Sequence, residues 1–126
     1  MSSILQHPSL GTFHGRSEAG VVQFLGIQYA TLEDRLAEPQ LKTEYGGQID
    51  ATKVGYRVGV PGFLTSQELR DAGYKANNGL RDQRTALLWV KQFIDGFGGN
   101  PDRVTLAGQS AGAGMPSSDF PNLLPY

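Results

Sequence analysis

The stretch VTLAGQSAG at residues 104–112 decides which fold the sequence predicts. Its beginning, Val104 to Leu106, is a short apolar run that is typical of a buried strand. The rest, Gly108 to Gly112, is a G-x-S-x-G pattern, which is typical of a nucleophilic serine on a sharp turn from a strand into a helix. Small flanking residues allow that strained turn, because bulky side chains would clash with the neighbouring backbone. The pattern predicts that Ser110 is a nucleophile and that the backbone amide of Ala111 faces a developing oxyanion.

A long helix is predicted directly before this stretch. From Asn78 onward, apolar residues recur at intervals of three and four and form one stripe. The stripe consists of Ala86, Trp89, Val90, Phe93, Ile94 and Phe97. We expect it to pack in the core, because an exposed stripe of this size would favour aggregation. Gly98-Gly99 followed by Asn100-Pro101 predicts the helix end. Helix, glycine stop, strand and serine turn together predict an αβα unit of a doubly wound sheet.

The first half of the chain predicts a β-hairpin and little else. Residues 12–14 and 21–27 are rich in β-branched and aromatic side chains, and the link between them, residues 15–20, is polar and flanked by glycine. Residues 30–53 have poor periodicity and predict an irregular segment with at most one helical turn. His7, in the N-terminal tail, and His14, in the hairpin, are expected to be surface or structural histidines.

Composition favours a single soluble domain and excludes several classes of protein. The chain has 126 residues, a formal net charge of -1 and no cysteine, so neither a nucleic-acid-binding surface, a disulfide nor a thiolate metal site is expected. The N-terminus has no basic segment followed by a long apolar run, so we expect no signal peptide and no membrane span. We therefore expect a cytoplasmic location. No cofactor and no metal are predicted.

Three stretches of the chain resemble the type-B carboxylesterase family, which includes fungal carboxylesterases and cholinesterase-like enzymes. QFLGIQYA at residues 23–30 is similar to a family segment that usually has proline in the position of Gln28. YRVGVPGFL at residues 56–64 is similar to a second segment, with Gly55 where the family has asparagine. The third and longest stretch runs from Asn78 to Ala113 and contains the serine turn. The three occur in the family's order.

The resemblance implies a partial α/β-hydrolase fold, in which an N-terminal β-hairpin is joined to the αβα unit. It implies one partial domain over residues 1–126, made of a hairpin and cover segment (1–53), the unit with the serine turn (55–114) and a disordered or loop-like tail (115–126). It also implies a serine ester hydrolase that acts on small-molecule esters through an acyl-enzyme on Ser110. Gly108 and Gly112 would shape the turn, and Ala111 would donate its amide to the oxyanion.

The chain departs from the family wherever further catalytic groups are expected. A His-Gly-Gly type loop is absent near Lys53-Val54, and Gly46-Gly47 is a poor replacement because tyrosine precedes it. The triad order of this fold requires an acid and then a histidine after the serine. No histidine follows Ser110, and the one later carboxylate, Asp119, lies in the tail, while Pro116 interrupts the helix that would follow the turn. We therefore expect an incomplete hydrolase with little or no turnover and marginal stability.

Two alternatives remain open from the sequence. The first is a non-catalytic binding or interaction module derived from the same fold, although such a module would not need an intact serine turn. The second is a dinucleotide-binding turn. The chain offers only Gly108-x-Ser110-x-x-Ala113 for that purpose, with serine where pyrophosphate requires a close approach of the backbone.

Overall fold

The computed structural model describes residues 2–46, 49–50 and 55–110. Six strands lie within these residues. They are β1 (Ser2–His7), β2 (Gly11–Glu18), β3 (Val21–Gln23), β4 (Ala30–Thr31), β5 (Gln40–Leu41) and β6 (Ile49–Asp50). All the helices described follow the strands. They are α1 (Gly59–Phe63), α2 (Gln67–Asp71), α3 (Asn78–Phe93) and a 3-10 turn (Ile94–Phe97).

Strand β2 is the centre of a four-stranded sheet. It pairs antiparallel with β1 over its first six residues, from Gly11 opposite His7 to Arg16 opposite Ser2. Its other edge pairs antiparallel with β3 near its end and parallel with β6 at Phe13 and His14. A separate two-stranded ladder joins β4 to β5. The sheet is therefore built mostly from contacts that are local in sequence.

The predicted hairpin is confirmed, although its boundaries were wrong. Strand β2 extends to Glu18, so four residues of the predicted link are strand. The link is only Ala19-Gly20, and both residues have positive φ, of 50° and 80°, as two-residue hairpin turns prefer. Strand β3 ends at Gln23, and Phe24 to Ile27 leave the ladder.

The assignment of the first residues to a tail was wrong, because they form β1. Its residues alternate in exposure, with Ile4 exposed and Leu5 packed against the core. The ladder with β2 supplies the backbone hydrogen bonds that an isolated segment of this length would lack. Residues 30–46 are mainly irregular, as predicted, apart from the two short strands of the β4–β5 ladder.

Helix α3 begins at Asn78, and its helical backbone continues through the 3-10 turn to Phe97, as predicted. Gly98 has φ of 81°, a backbone conformation that glycine adopts without steric cost, and it ends the helix there. The second half of the helix buries Trp89 and Phe93 against Leu10, from the turn between β1 and β2, and Phe13, from β2. Val90 and Phe97 pack against the same cluster, so four of the six residues of the apolar stripe contribute to the core, as expected.

The core is mostly aromatic. The rings of Phe13 and Phe97 meet edge to face with centroids 4.9 Å apart, and Phe24, Tyr45 and Trp89 pack around them. Edge-to-face pairs are favoured by the charge distribution of aromatic rings and add about 0.5–1.5 kcal/mol each beyond their buried area. These contacts join the sheet to the end of α3.

The expected buried strand at Val104 to Leu106 does not form a ladder in the part of the chain that the structure describes. Residues 104–109 lie outside any helix or strand, and the side chains of Val104 and Leu106 are half-buried while Thr105 and Ala107 are exposed. This alternation is that of a strand with one covered face. It has no pairing partner within residues 2–46, 49–50 and 55–110, so the backbone pairing that defines a strand is absent there.

Within the same ranges, no helix combines the length and the apolar character that crossing a membrane requires. The predicted tail at residues 115–126 and the chain junction near Lys53-Val54 lie outside the described residues.

Candidate functional site

Ser110 is the last described residue, and its backbone conformation is unusual. Its φ is 53° and its side chain is exposed. Positive φ costs a residue with a Cβ about 1 kcal/mol or more, so it usually reflects a local constraint. The two other non-glycine residues described with positive φ have ordinary explanations: Ala19 lies in the hairpin turn and Asn77 directly precedes α3.

The remaining residues of the predicted site are only partly described. Gly108, the first residue of the predicted turn, is exposed. Ala111, Gly112 and Asp119 lie outside the described residues, so the oxyanion donor, the second turn glycine and the later carboxylate stay predictions. In the part of the chain that is described, Ser110 makes no hydrogen bond to a histidine or a carboxylate.

His7 has a structural role, which agrees with one of the two expectations for it. It is buried, and both of its ring nitrogens take part in hydrogen bonds with the backbone. It is therefore not free to act as a base for Ser110. His14 lies in the middle of β2, opposite Ile4, and its side chain is partly buried.

A buried ion pair lies between the loop before α1 and helix α3. Nε and Nη2 of Arg57 donate to the two carboxylate oxygens of Asp82 at 2.8 and 2.6 Å, and the backbone amide of Arg57 donates to Oδ2 at 2.9 Å. The side chains are only 11% and 6% exposed. The hydrogen bonds to Asp82 are the main reason that the pKa of Arg57 is raised above its ordinary value.

The same arginine also holds the irregular segment at residues 30–46, called the cover segment below. Nη1 of Arg57 donates to the carbonyl oxygens of Arg35 and Ala37, at 3.0 and 2.8 Å. Asn78, at the start of α3, donates from Nδ2 to the carbonyl oxygen of Leu36 at 2.7 Å. Three successive carbonyls are therefore bound by α3 and its ion pair. The pairing of Asp82 with Arg57 was not predicted from the sequence.

A cavity of about 320 Å³ lies beside this ion pair. Its wall contains Ile27, Tyr29, Leu32, Tyr56, Arg57 and Asp82 together with short backbone stretches, and it includes no residue of the 104–110 segment. It is therefore a feature of the scaffold and not of the serine turn. Among the described residues, no three histidine, aspartate or glutamate side chains come together in a way that could hold a metal ion.

Tyr29 provides a test of the burial beside this cavity. Its hydroxyl donates to the carbonyl oxygen of Gly55 at 3.1 Å. Burial first, and then the negative charge of Asp82, raise its pKa to about 12, while Arg57 acts in the opposite direction. The folded state then holds a proton that the unfolded chain loses near its ordinary pKa. The contribution of Tyr29 to the free energy of unfolding is therefore complete below about pH 10 and is lost as the pH rises from about 10 to 12.

We therefore expect the free energy of unfolding to fall over that range in the wild type and to fall less steeply in Tyr29→Phe. The measurement is urea unfolding at several alkaline pH values, together with tyrosinate absorbance of the folded chain. Equal slopes for the two proteins would contradict the burial of the Tyr29 hydroxyl.

Comparison with known proteins gives consistent matches. A sequence profile of the carboxylesterase family matches residues 53–118, about half of the chain. Bile salt-activated lipase of Mus musculus is 45% identical over 80 residues, which are 64% of this chain and 12% of that protein. Carboxylesterase patB of Aspergillus clavatus is 49% identical over 61 residues, 48% of this chain and 11% of that protein. The chain thus spans about an eighth or less of the length of these relatives.

Solved structures match over more of the chain. EstA of Aspergillus niger superposes with a TM-score of 0.77 at 26% identity, covering 90% of this chain and 37% of that one. A structure described as PNB esterase superposes with a TM-score of 0.73 at 24% identity, covering 89% and 39%. These matches confirm the predicted partial α/β-hydrolase fold. They also show that the chain corresponds to under two fifths of each solved protein.

Proposed function

Because the chain belongs to the carboxylesterase family, we propose that it carries the nucleophile of a carboxylic ester hydrolase and that this nucleophile is Ser110. Small-molecule esters are the substrate class that the family implies. Ester hydrolysis by this chain is part of the proposal, because the relatives are several times longer than the segment that matches them.

One observation carries the proposal. Ser110 combines positive φ with an exposed side chain, at the central position of the G-x-S-x-G pattern and within the segment that matches the family. A nucleophilic serine on a strand-to-helix turn needs both properties. The strained backbone presents Oγ to the substrate, and exposure leaves room for the ester carbonyl.

The reaction follows from the chemistry of the hydroxyl. Oγ of Ser110 attacks the carbonyl carbon and gives up its proton to a base, and the carbonyl oxygen becomes an oxyanion. The amide of Ala111 would donate to that oxygen. Collapse of the intermediate breaks the carbon–oxygen bond to the alcohol, which leaves with a proton. Water then attacks the acyl-enzyme, releases the carboxylic acid and restores Ser110.

The supply of a base limits this reaction in the chain alone. Both nitrogens of His7 are engaged in hydrogen bonds, and no acid or histidine is bonded to Ser110 among the described residues. Without a complete triad, serine hydrolases retain only about 10³- to 10⁴-fold acceleration over water. We therefore propose that Ser110 is acylated or phosphonylated slowly and that multiple turnover is weak or absent.

We expect a fluorophosphonate probe to label the folded chain at Ser110 and to leave Ser110→Ala unlabelled. The measurement is intact-mass analysis followed by peptide mapping. Ser17→Ala is the matched control, because Ser17 lies in the sheet far along the chain from the turn, and it should label like the wild type. Labelling should stop when the chain is unfolded in urea, since the turn geometry is then lost.

Two outcomes would count against the proposal. Equal labelling of wild type and Ser110→Ala would mean that the probe reacts elsewhere. A folded wild type that stays unlabelled after long incubation would favour the alternative, a non-catalytic binding module derived from this fold.

A further inference from the structure

Asn78 and Gly79, the first two residues of α3, form an Asn-Gly pair, and the packing of the fold requires both of them. Nδ2 of Asn78 donates to the carbonyl oxygen of Leu36 at 2.7 Å and so helps to hold the cover segment. A Cβ at Gly79 would lie 2.6 Å from the carbonyl oxygen of Arg57 and 2.7 Å from the ring of Phe63. Such a contact with backbone excludes any residue that has a Cβ. The fold therefore demands asparagine followed by glycine at this point.

An asparagine followed by glycine is chemically labile in an unfolded chain. The backbone nitrogen of Gly79 attacks Cγ of Asn78, and the new carbon–nitrogen bond closes a cyclic succinimide. The bond between Cγ and Nδ2 breaks, and ammonia leaves with the proton of the Gly79 amide. Water then opens the ring at either carbonyl and gives aspartate or isoaspartate. Glycine favours the attack because its backbone turns freely and no Cβ shields its nitrogen.

The folded chain opposes each step of this reaction. Ring closure needs the Gly79 nitrogen near the plane of Cα, Cβ and Cγ of Asn78, and the helical backbone at Asn78 turns that nitrogen well out of the plane. The hydrogen bond to Leu36 holds the side-chain amide in its place. Asn78 is only 3% exposed, which keeps water away. Within the described residues no donor reaches its Oδ1, so the oxyanion formed during the attack would lack stabilisation.

We propose that Asn78 is a site of spontaneous deamidation, which the fold protects and unfolding exposes. The product is a carboxylate, and it has no hydrogen to donate to the carbonyl oxygen of Leu36. That carbonyl loses its donor and faces a negatively charged oxygen instead. Isoaspartate also lengthens the backbone by one carbon in the first turn of α3. A chain that stays unfolded long enough to react therefore refolds to a less stable state.

Peptide mapping by mass spectrometry tests the protection. The full chain is incubated at mildly alkaline pH with and without urea, and the mass gain of deamidation is followed at each asparagine. In urea, Asn78 should react first, because no other asparagine in the chain precedes glycine. Without urea, its rate should be at least about tenfold lower, because the reaction then needs an opened state that is a small fraction of the population. In urea, Gly79→Ala should slow the reaction.

Two variants test the effect of the modification on stability. Asn78→Asp carries the aspartate product from the start, and urea unfolding should show an unfolding constant about tenfold higher than that of the wild type. Asn77→Asp is the matched control, since it adds the same charge one position earlier. Asn77 is exposed, and its left-handed backbone suits aspartate as well as asparagine. Its unfolding constant should not rise.

Several results would overturn the proposal. Equal rates of deamidation at Asn78 in the folded and the unfolded chain would mean that the fold gives no protection. A rate at Asn78 in urea that is no higher than the rate at Asn77 would mean that the Asn-Gly pair is not reactive. An Asn78→Asp chain as stable as Asn77→Asp would mean that the deamidated chain refolds as well as the original.

Discussion

Replacement of Asp82 with alanine is expected to lower the free energy of unfolding by about 3–5 kcal/mol, the usual cost of removing one partner of a buried ion pair. Arg57 would keep its charge in a site where its side chain is 11% exposed. Its backbone amide and two guanidinium nitrogens would also lose their acceptor. Since small domains are stable by about 5–15 kcal/mol in total, this loss would be a large fraction of the stability.

Urea unfolding followed by circular dichroism measures this effect, and Glu38→Gln is the matched control. Glu38 pairs with Arg81, a residue of the same helix, but both side chains are about two fifths exposed. Exposed pairs contribute at most about 1 kcal/mol. Comparable losses of unfolding free energy for Asp82→Ala and Glu38→Gln would mean that the buried pair does not hold the cover segment. Asp82→Asn keeps the shape of the side chain, so its loss of unfolding free energy should be smaller than that of Asp82→Ala and larger than that of Glu38→Gln.

Replacement of Gly96 with alanine is expected to lower the free energy of unfolding by about 2–6 kcal/mol. A Cβ at this position would overlap the imidazole of His7. The ring cannot move aside without losing its bond to Phe93 and its packing against the neighbouring phenylalanines. Overpacking costs about 1–3 kcal/mol, and a buried carbonyl left without a donor adds about 1–3 kcal/mol.

Thermal or urea unfolding provides the measurement, with Gly46→Ala as the matched control. A Cβ at Gly46 would meet nothing within 4 Å, so that variant should be neutral or slightly stabilised. The double variant Gly96→Ala with His7→Ala should be no less stable than His7→Ala alone, because the overlapping ring is gone. A stable Gly96→Ala single variant would contradict the close packing of the hairpin on the helix end.

The helix and its end could be predicted because their signals are local. The apolar stripe from Ala86 to Phe97 repeats with the helical period, and Gly98 has the positive φ that ends such a helix. The hairpin was also predictable, since β-branched residues flank a glycine turn. Strand β1 was not, because SSILQH has weak strand character by itself and becomes a strand only through its ladder with β2.

The sequence indicates which serine to test, whereas the surroundings of the candidate residues come from the structure. The G-x-S-x-G pattern selects Ser110 by chemistry alone, and the positive φ of that residue is compatible with the predicted turn. The role of His7 could not be deduced from sequence. Its partner Phe93 is 86 positions away, and no local signal indicates that a histidine near the N-terminus will cap a turn and bind a helix end.

The sequence by itself determined the family and the helix that precedes the predicted serine turn, because each depends on neighbouring residues with a fixed spacing. Only the tertiary structure decided which polar groups would be buried. The pairing of Arg57 with Asp82 and the hydrogen bond of His7 to the carbonyl oxygen of Phe93 arise from contacts between distant segments. The structure also decided that residues 104–109 have no ladder within the described chain, because a strand requires a neighbour as well as a suitable sequence.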